Sequence, residues 1–102
     1  MIYVIAMVEC KEGCREAYLE VLKSNVPSVK SEAGCIMYEP TVETNSGIPL
    51  QGPVQENLVT IVEAWRDLDS LLAHFQTPHM IAYREKAKPF VAGVSVRVLK
   101  PA

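Results

Sequence analysis

Two periodicities alternate along the chain. From Ile2 to Val8 the residues are apolar at odd and even positions alike, so a strand here needs cover on both faces. A helical pattern opens at Gly13: Cys14, Ala17, Tyr18, Val21 and Leu22 fall at helical spacing, with Lys11, Glu12, Arg15, Glu16, Glu20 and Lys23 elsewhere. Pro27 predicts a kink or a fresh turn, with Ser24 or Asn25 as its cap. Val29 and Ala33 extend the stripe, and Gly34 suits the position just past a helix end. Cys35 to Glu43 reads as a second strand, with Ile36 and Tyr38 opposite in parity to Cys35, Met37 and Glu39.

From Thr44 to Asn57 the pattern gives way to turn formers: Asn45, Ser46, Gly47, Pro49, Gly52 and Pro53. A connection this long is characteristic of a binding loop or lid. Its Ile48, Leu50 and Val54 are expected either to fold over a pocket mouth or to reach a partner subunit. Leu58 to Trp65 is the clearest strand. Asp67 or Asp69 then caps a short helix with Leu68, Leu71, Leu72 and Phe75 as its stripe. Thr77-Pro78 starts another helix, a cap followed by a first-turn proline, whose stripe is His79 or Met80, Tyr83, Ala87 and Phe90. Gly93 precedes a last strand, Val94 to Leu99, with Val94, Val96 and Val98 on one face.

The order βαββαβ predicts an α+β fold, the ferredoxin-like plait: one antiparallel four-stranded sheet with its helices on one face. At 102 residues the chain, 1–102, is a single domain. Helices cover one face only, whereas the first and third strands are apolar on both. A bare patch of that size invites association, so the expected solution is a symmetric homodimer packing sheet against sheet, a dimeric α/β barrel.

Charge narrows the function. Ten Lys+Arg against twelve Asp+Glu give a net charge of −2, without the basic footprint of a nucleic-acid binder. No apolar run reaches the roughly 18–20 residues needed to span a bilayer, so no membrane insertion is expected. The opening apolar run has no basic segment before it and meets Glu9 at once, which predicts a strand rather than a signal peptide. The cytoplasm is the default compartment. Cys10, Cys14 and Cys35, an odd number, read as reduced thiols, and they lack the second cluster that a zinc site requires.

The segment Glu63-Ala64-Trp65-Arg66-Asp67, followed by His74-Phe75-Gln76-Thr77-Pro78-His79, resembles the antibiotic biosynthesis monooxygenase (ABM) superfamily: E-x-W, an acidic turn, then an H-x-x-T-P-H junction. Glu32-x-Gly34-Cys35-x-x-Tyr38 is similar to the family's link from first helix to second strand. The resemblance covers nearly the whole chain and is greatest to the small bacterial quinol monooxygenases. It implies a homodimer and cofactor-free oxygen chemistry, with no metal, on a small quinol-like aromatic of menadiol type. The haem-degrading branch uses an Asn, a Trp and a His at positions that align here with Ala6, His74 and Arg84, which argues against haem cleavage. A sugar-phosphate isomerase of the superfamily shares the H-x-x-T-P-H junction, so that motif marks fold and pocket without deciding the reaction. Two alternatives stand beside oxidation: a dimeric ligand-binding or stress-response module without turnover, and the isomerase. The latter requires an inward cationic cluster, whereas Arg84, Lys86 and Lys88 read as a solvent face.

A quinol oxidase needs an apolar slot, an acceptor for the phenolic proton and donors for the developing charge. His74, His79 and Tyr83 are the candidate catalytic groups, an imidazole being able to exchange protons at neutral pH. Either histidine could instead satisfy backbone groups freed between the helices. Trp65, Phe75, Tyr38, Phe90 and Glu63 are the candidate substrate-binding residues. Trp65 reads equally as core, and Glu63 either carries a raised pKa or pairs with Arg97 on a neighbouring strand.

Overall fold

A computed structural model describes residues 1–102. Strand β1 (Ile2–Cys10) leads to helix α1 (Arg15–Lys30) and strand β2 (Cys35–Thr41), then through the long loop to β3 (Leu58–Trp65). Helices α2 (Leu68–His74) and α3 (Pro78–Ala87) precede β4 (Val91–Leu99). All pairings are antiparallel and the spatial order is β2-β3-β1-β4, which makes the fold the expected ferredoxin-like plait. No helix is long and apolar enough to cross a membrane.

Several boundaries differ from the reading of the pattern, each for a local reason. Pro27 does not end α1. It removes one backbone donor, yet the turn beyond it buries Val29 completely and continues to Lys30. The second helix turns Ser70, Leu71 and His74 inward and leaves Leu68 and Leu72 exposed, because the buried face follows His74 rather than the leucines. Helix α3 stops at Ala87, and a 3-10 turn over Lys88–Phe90 carries Phe90 out of its stripe. Strand β4 starts earlier than expected, since Val91 already pairs with Cys10. The caps fall where the composition put them: Asp67 Oδ1 accepts from Ser70 N at 2.8 Å and Thr77 Oγ1 from Met80 N at 3.3 Å.

Register assigns the faces. Val4 pairs with Glu63 and Val98, Ala6 with Ile61 and Val96, Val8 with Val59 and Val94, all towards the helices. Tyr3, Ile5, Met7, Met37, Val62, Arg97 and Leu99 take the other face, where Tyr3, Met7, Met37 and Leu99 remain exposed. Arg97 pairs with Ile5 and therefore points away from Glu63. The expected Glu63–Arg97 pair is thus corrected: one residue of register puts them on opposite faces. The helices lean over β1–β3 and leave the edge strand thinly covered, with Val94, Val96 and Val98 exposed on the helix side.

The long loop is folded on itself. Gln51 Nε2 donates to the Thr44 carbonyl at 2.8 Å and Gln55 N to Glu43 Oε1 at 2.8 Å. Leu50 at its tip is 97% exposed.

Two connections meet at Gly34. Its φ of 86° ends the α1–β2 turn, and its carbonyl accepts from Arg66 N at 2.8 Å. A Cβ there would collide with Ser70 Oγ and lie 2.6 Å from Ser70 Cβ. Gly34→Ala is expected to destabilise the fold by about 2 kcal/mol or more through left-handed strain plus this clash. Urea unfolding checks this; an unchanged midpoint would refute the close approach.

Candidate active site

Between the sheet and the α2–α3 segment lies a cavity of about 180 Å³. Val4, Ala6, Val8 and Ile61 form its floor, Val94 and Val96 its β4 side, and Phe75, Met80, Tyr83 and Arg84 come from the helical segments. Three further residues of the wall are Tyr38, Glu63 and His74. An apolar hollow of about 150 Å³ holds one benzene ring, so this space matches the ring of a small aromatic. It adjoins an open apolar groove that shares Val8, Tyr83, Arg84 and Val94 and continues to Ala87 and Val91.

Five of the candidates therefore line one cavity: Tyr38, Glu63, His74, Phe75 and Tyr83. The other three do not. Trp65 is wholly buried behind the wall, donating from Nε1 to Glu63 Oε1 at 2.9 Å. Phe90 is carried by the 3-10 turn to the margin of the core. His79, in the first turn of α3, lines the outer groove between α1 and α3. It points to Glu32, with Nε2 and Oε2 2.6 Å apart. None of the residues of the 44–57 loop borders the cavity, so within one chain that loop is not its lid.

His74 is the most constrained of these side chains. It is 1% exposed, and its ring packs at a tilt against Trp65 at 4.7 Å, Phe75 at 5.3 Å and Tyr38 at 5.7 Å between centroids. Its Nδ1 lies 3.0 and 2.9 Å from the two carboxylate oxygens of Glu32. Burial holds its pKa below the usual imidazole range, against the opposing pull of Glu32. The backbone freed between α2 and α3 is served by Thr77, whose Oγ1 donates to the His74 carbonyl at 2.9 Å. Neither histidine is needed for that purpose.

Glu63 is the carboxyl group of the wall. Burial pushes its carboxyl up to about 7, although the hydrogen bond from Trp65 favours the ionised form and Glu32 opposes it. Tyr83 shares a hydrogen bond between hydroxyls with the fully buried Tyr18 of α1, and burial raises the pKa of both phenols. Tyr18 was not among the candidates, and its place in the apolar stripe of α1 concealed the hydroxyl contact. Arg84 is exposed, as expected, and also borders the cavity, donating from Nη2 to the Phe75 carbonyl at 2.9 Å. Lys86 and Lys88 are exposed as expected. Glu32 was noticed only as part of a link between elements. Its partners lie 42 and 47 residues downstream, beyond any local spacing. It draws two imidazoles to one carboxylate as hydrogen-bond partners, and no group of side chains is arranged to hold a metal ion.

The fold and this cavity define the class. Residues 1–86 match the family model described as antibiotic biosynthesis monooxygenase, and the chain belongs to that family of enzymes. Among characterised sequences it is 37% identical over 103 residues to the probable quinol monooxygenase YgiN of Escherichia coli K12, covering 99% of this chain and 98% of that protein. Among solved structures, PA3566 from Pseudomonas aeruginosa superposes with a TM-score of 0.82 at 23% identity, covering 99% of this chain and 93% of that one. SO0527 from Shewanella oneidensis gives 0.77 at 28% identity, over 96% and 87% respectively.

The raised pKa of Glu63 has a signed consequence for stability. Between its ordinary 4.5 and about 7 the folded chain keeps a proton that the unfolded chain has released. Stability from this group therefore falls as pH rises through that window. Glu63→Gln, which keeps an acceptor for Trp65 and cannot ionise, is expected to exceed the wild type at about pH 8 by on the order of 2 kcal/mol. Near pH 5 the two should be close. Urea titrations at both pH values test this; parallel pH profiles would refute it.

Proposed function

We propose that the chain is a cofactor-independent monooxygenase or oxidase that uses dioxygen on a small quinol-like aromatic, of menadiol type, bound in this cavity within a homodimer. The observation that carries the reading is the wall itself. One apolar, ring-sized space is bordered by a neutral imidazole, a carboxyl near 7 and a tyrosine. Triplet dioxygen reacts slowly with closed-shell molecules, and most oxygenases recruit a cofactor for that reason. A quinol carries the electrons itself once a phenolic proton is removed. In the monooxygenase outcome one quinol and one dioxygen give one hydroxyquinone and one water; in the oxidase outcome they give quinone and hydrogen peroxide.

His74 takes the phenolic proton, being buried at the wall and uncharged at neutral pH. Tyr83 and Tyr38 flank the ring, and Phe75 with the valines of β1 and β4 excludes water. Glu63 sits where it can hold the second oxygen, as donor or acceptor according to its proton. Of the three cations near α3 only Arg84 borders the cavity, and the carboxyl of Glu63 shares that wall, which disfavours a sugar phosphate. The name of the Escherichia coli relative supports a quinol. The cytoplasm remains the proposed location.

The homodimer rests on the sheet face without helices, where Tyr3, Met7, Met37 and Leu99 are exposed together. A second copy covering it would bury the roughly 1,200–2,000 Å² typical of a stable interface.

Two experiments test these readings. Wild-type protein treated with a chelator should accelerate oxygen uptake by menadiol and one-ring hydroquinones above their autoxidation. His74→Asn should lower kcat by roughly 100-fold, and Ala6→Phe, which fills the cavity, should abolish the acceleration. Wild-type rates equal to autoxidation would leave a binding module without turnover. In light scattering the wild type should be a dimer and Met7→Glu a monomer; a monomeric wild type at micromolar concentration would overturn the dimer.

A further inference from the structure

The cluster outside the cavity wall is the least explained part of the molecule. Glu32 lies in the turn between α1 and β2, fixed by Glu32 N donating to the Val29 carbonyl at 3.0 Å and Cys35 N to the Glu32 carbonyl at 3.2 Å. Its side chain is 10% exposed, and the two groups it meets belong to the other half of the fold: His74 at the end of α2 and His79 at the start of α3. A carboxylate buried to this degree is costly unless hydrogen-bonded. Its only side-chain partners are these two imidazoles.

We propose that Glu32 is a positioning residue that fixes His74 as the Nδ1–H tautomer, with its Nε2 as the proton acceptor of the cavity, and that His79 completes the device by donating to the same carboxylate from outside. An ionised carboxylate only accepts hydrogen bonds, so a nitrogen lying within 3.0 Å of both its oxygens carries the hydrogen. Nε2 of a neutral ring is then the lone pair, and it has no partner within the chain. Tyr38, Trp65 and Phe75 pack at a tilt around the ring, and the Glu32 carboxylate fixes which nitrogen faces it. As the phenolic O–H breaks, the proton forms Nε2–H and the electron pair stays on the substrate oxygen. The imidazolium so formed faces an ionised Glu32, the arrangement by which a carboxylate orients and supports a histidine base. His79 is 26% exposed at its side chain and links this buried carboxylate to solvent.

The groups that set the charge of His74 come from every element around it. Glu32 favours the imidazolium, while burial, His79 and Arg84 of α3 oppose it. Tyr38 of β2 packs at a tilt on the ring, and Glu63 of β3 shares the cavity wall. Removing the charge of Glu32 thus lowers the affinity of His74 for a proton.

The role of base rests on the proposed quinol chemistry, but the tautomer does not, so the first measurement needs neither substrate nor variant. In ¹⁵N-labelled wild-type protein at neutral pH, NMR of the imidazole nitrogens should show His74 as the Nδ1–H form. Glu32→Gln should move its titration to lower pH and mix the tautomers. With a hydroquinone, the same variant should lower kcat by about 10- to 100-fold, leave KM within about twofold, and move the acidic limb of the pH profile to lower pH. Glu32→Asp should recover part of the rate. A wild-type His74 in the Nε2–H form, or a Glu32→Gln protein with unaltered His74 titration and kcat, would overturn the inference, as would stoichiometric zinc binding that displaces these hydrogen bonds. Should no hydroquinone be turned over by the wild type while the NMR result holds, the proposed reaction fails and the positioning device stands.

Discussion

One carboxylate ties the two halves of this fold together. The βαβ unit of β1, α1 and β2 supplies Glu32, and the unit of β3, α2, α3 and β4 supplies His74 and His79. A side chain of this kind is tolerated inside a protein only when its lone pairs are met. The three residues therefore constrain one another: the turn after α1 stands at a set height above the sheet, and the junction between α2 and α3 closes over it. Gly34 makes the same demand on the backbone. It brings the turn close enough to Ser70 that a methyl group does not fit. Both links join the turn after α1 to the α2–α3 segment, whose residues form one wall of the cavity over β1 and β3.

The wall places two carboxyl-bearing systems in different electrostatic settings. Glu32 is met by two imidazoles, whereas Glu63 is met by one indole N–H and surrounded by apolar side chains. The first carboxylate has its oxygens met by hydrogen-bond partners, and the second is held where burial raises the cost of a charge. Burial in that apolar setting is what raises the Glu63 carboxyl to about 7. Two exposed carboxylates would not be set apart in this way, because water would level them. The ring of His74 lies between the two systems, joined to Glu32 directly and to Glu63 through Trp65.

How much of this was legible in the chain follows from the range of each interaction. The plait was legible because strand parity and helical spacing are local: Val4, Ala6 and Val8 alternate with Tyr3, Ile5 and Met7, and the register keeps them on opposite faces. The caps at Asp67 and Thr77 were legible for the same reason. Five of eight candidate residues reached one cavity because they lie on inward positions of β2, β3, α2 and α3. His79 was misplaced by helix geometry alone. It shares a face with Tyr83, but in the first turn of α3 its ring is claimed by a carboxylate more than forty residues earlier. Of the two readings open for Glu63, the raised pKa holds, and the parity of β1 shows that a pair with Arg97 cannot form. Arg84 reads as solvent on a helical wheel and is exposed, and its hydrogen bond to the Phe75 carbonyl, a contact outside that wheel, accompanies its place at the cavity.

The same reasoning separates what the cavity selects from what the fold requires. Trp65 holds Glu63 and packs on His74 without bordering the space, so its size serves the geometry of the wall rather than contact with a ring. Val94 and Val96 have the opposite character: they border the space yet are poorly covered by the helices. The edge strand is thus the part of the wall least defined by its own chain, next to the groove that runs on to Ala87 and Val91. That groove is lined by apolar side chains together with Arg84 and Lys88, while the polar end of the cavity lies at His74 and Glu63. The buried polar end and the open groove are thus two different parts of one space.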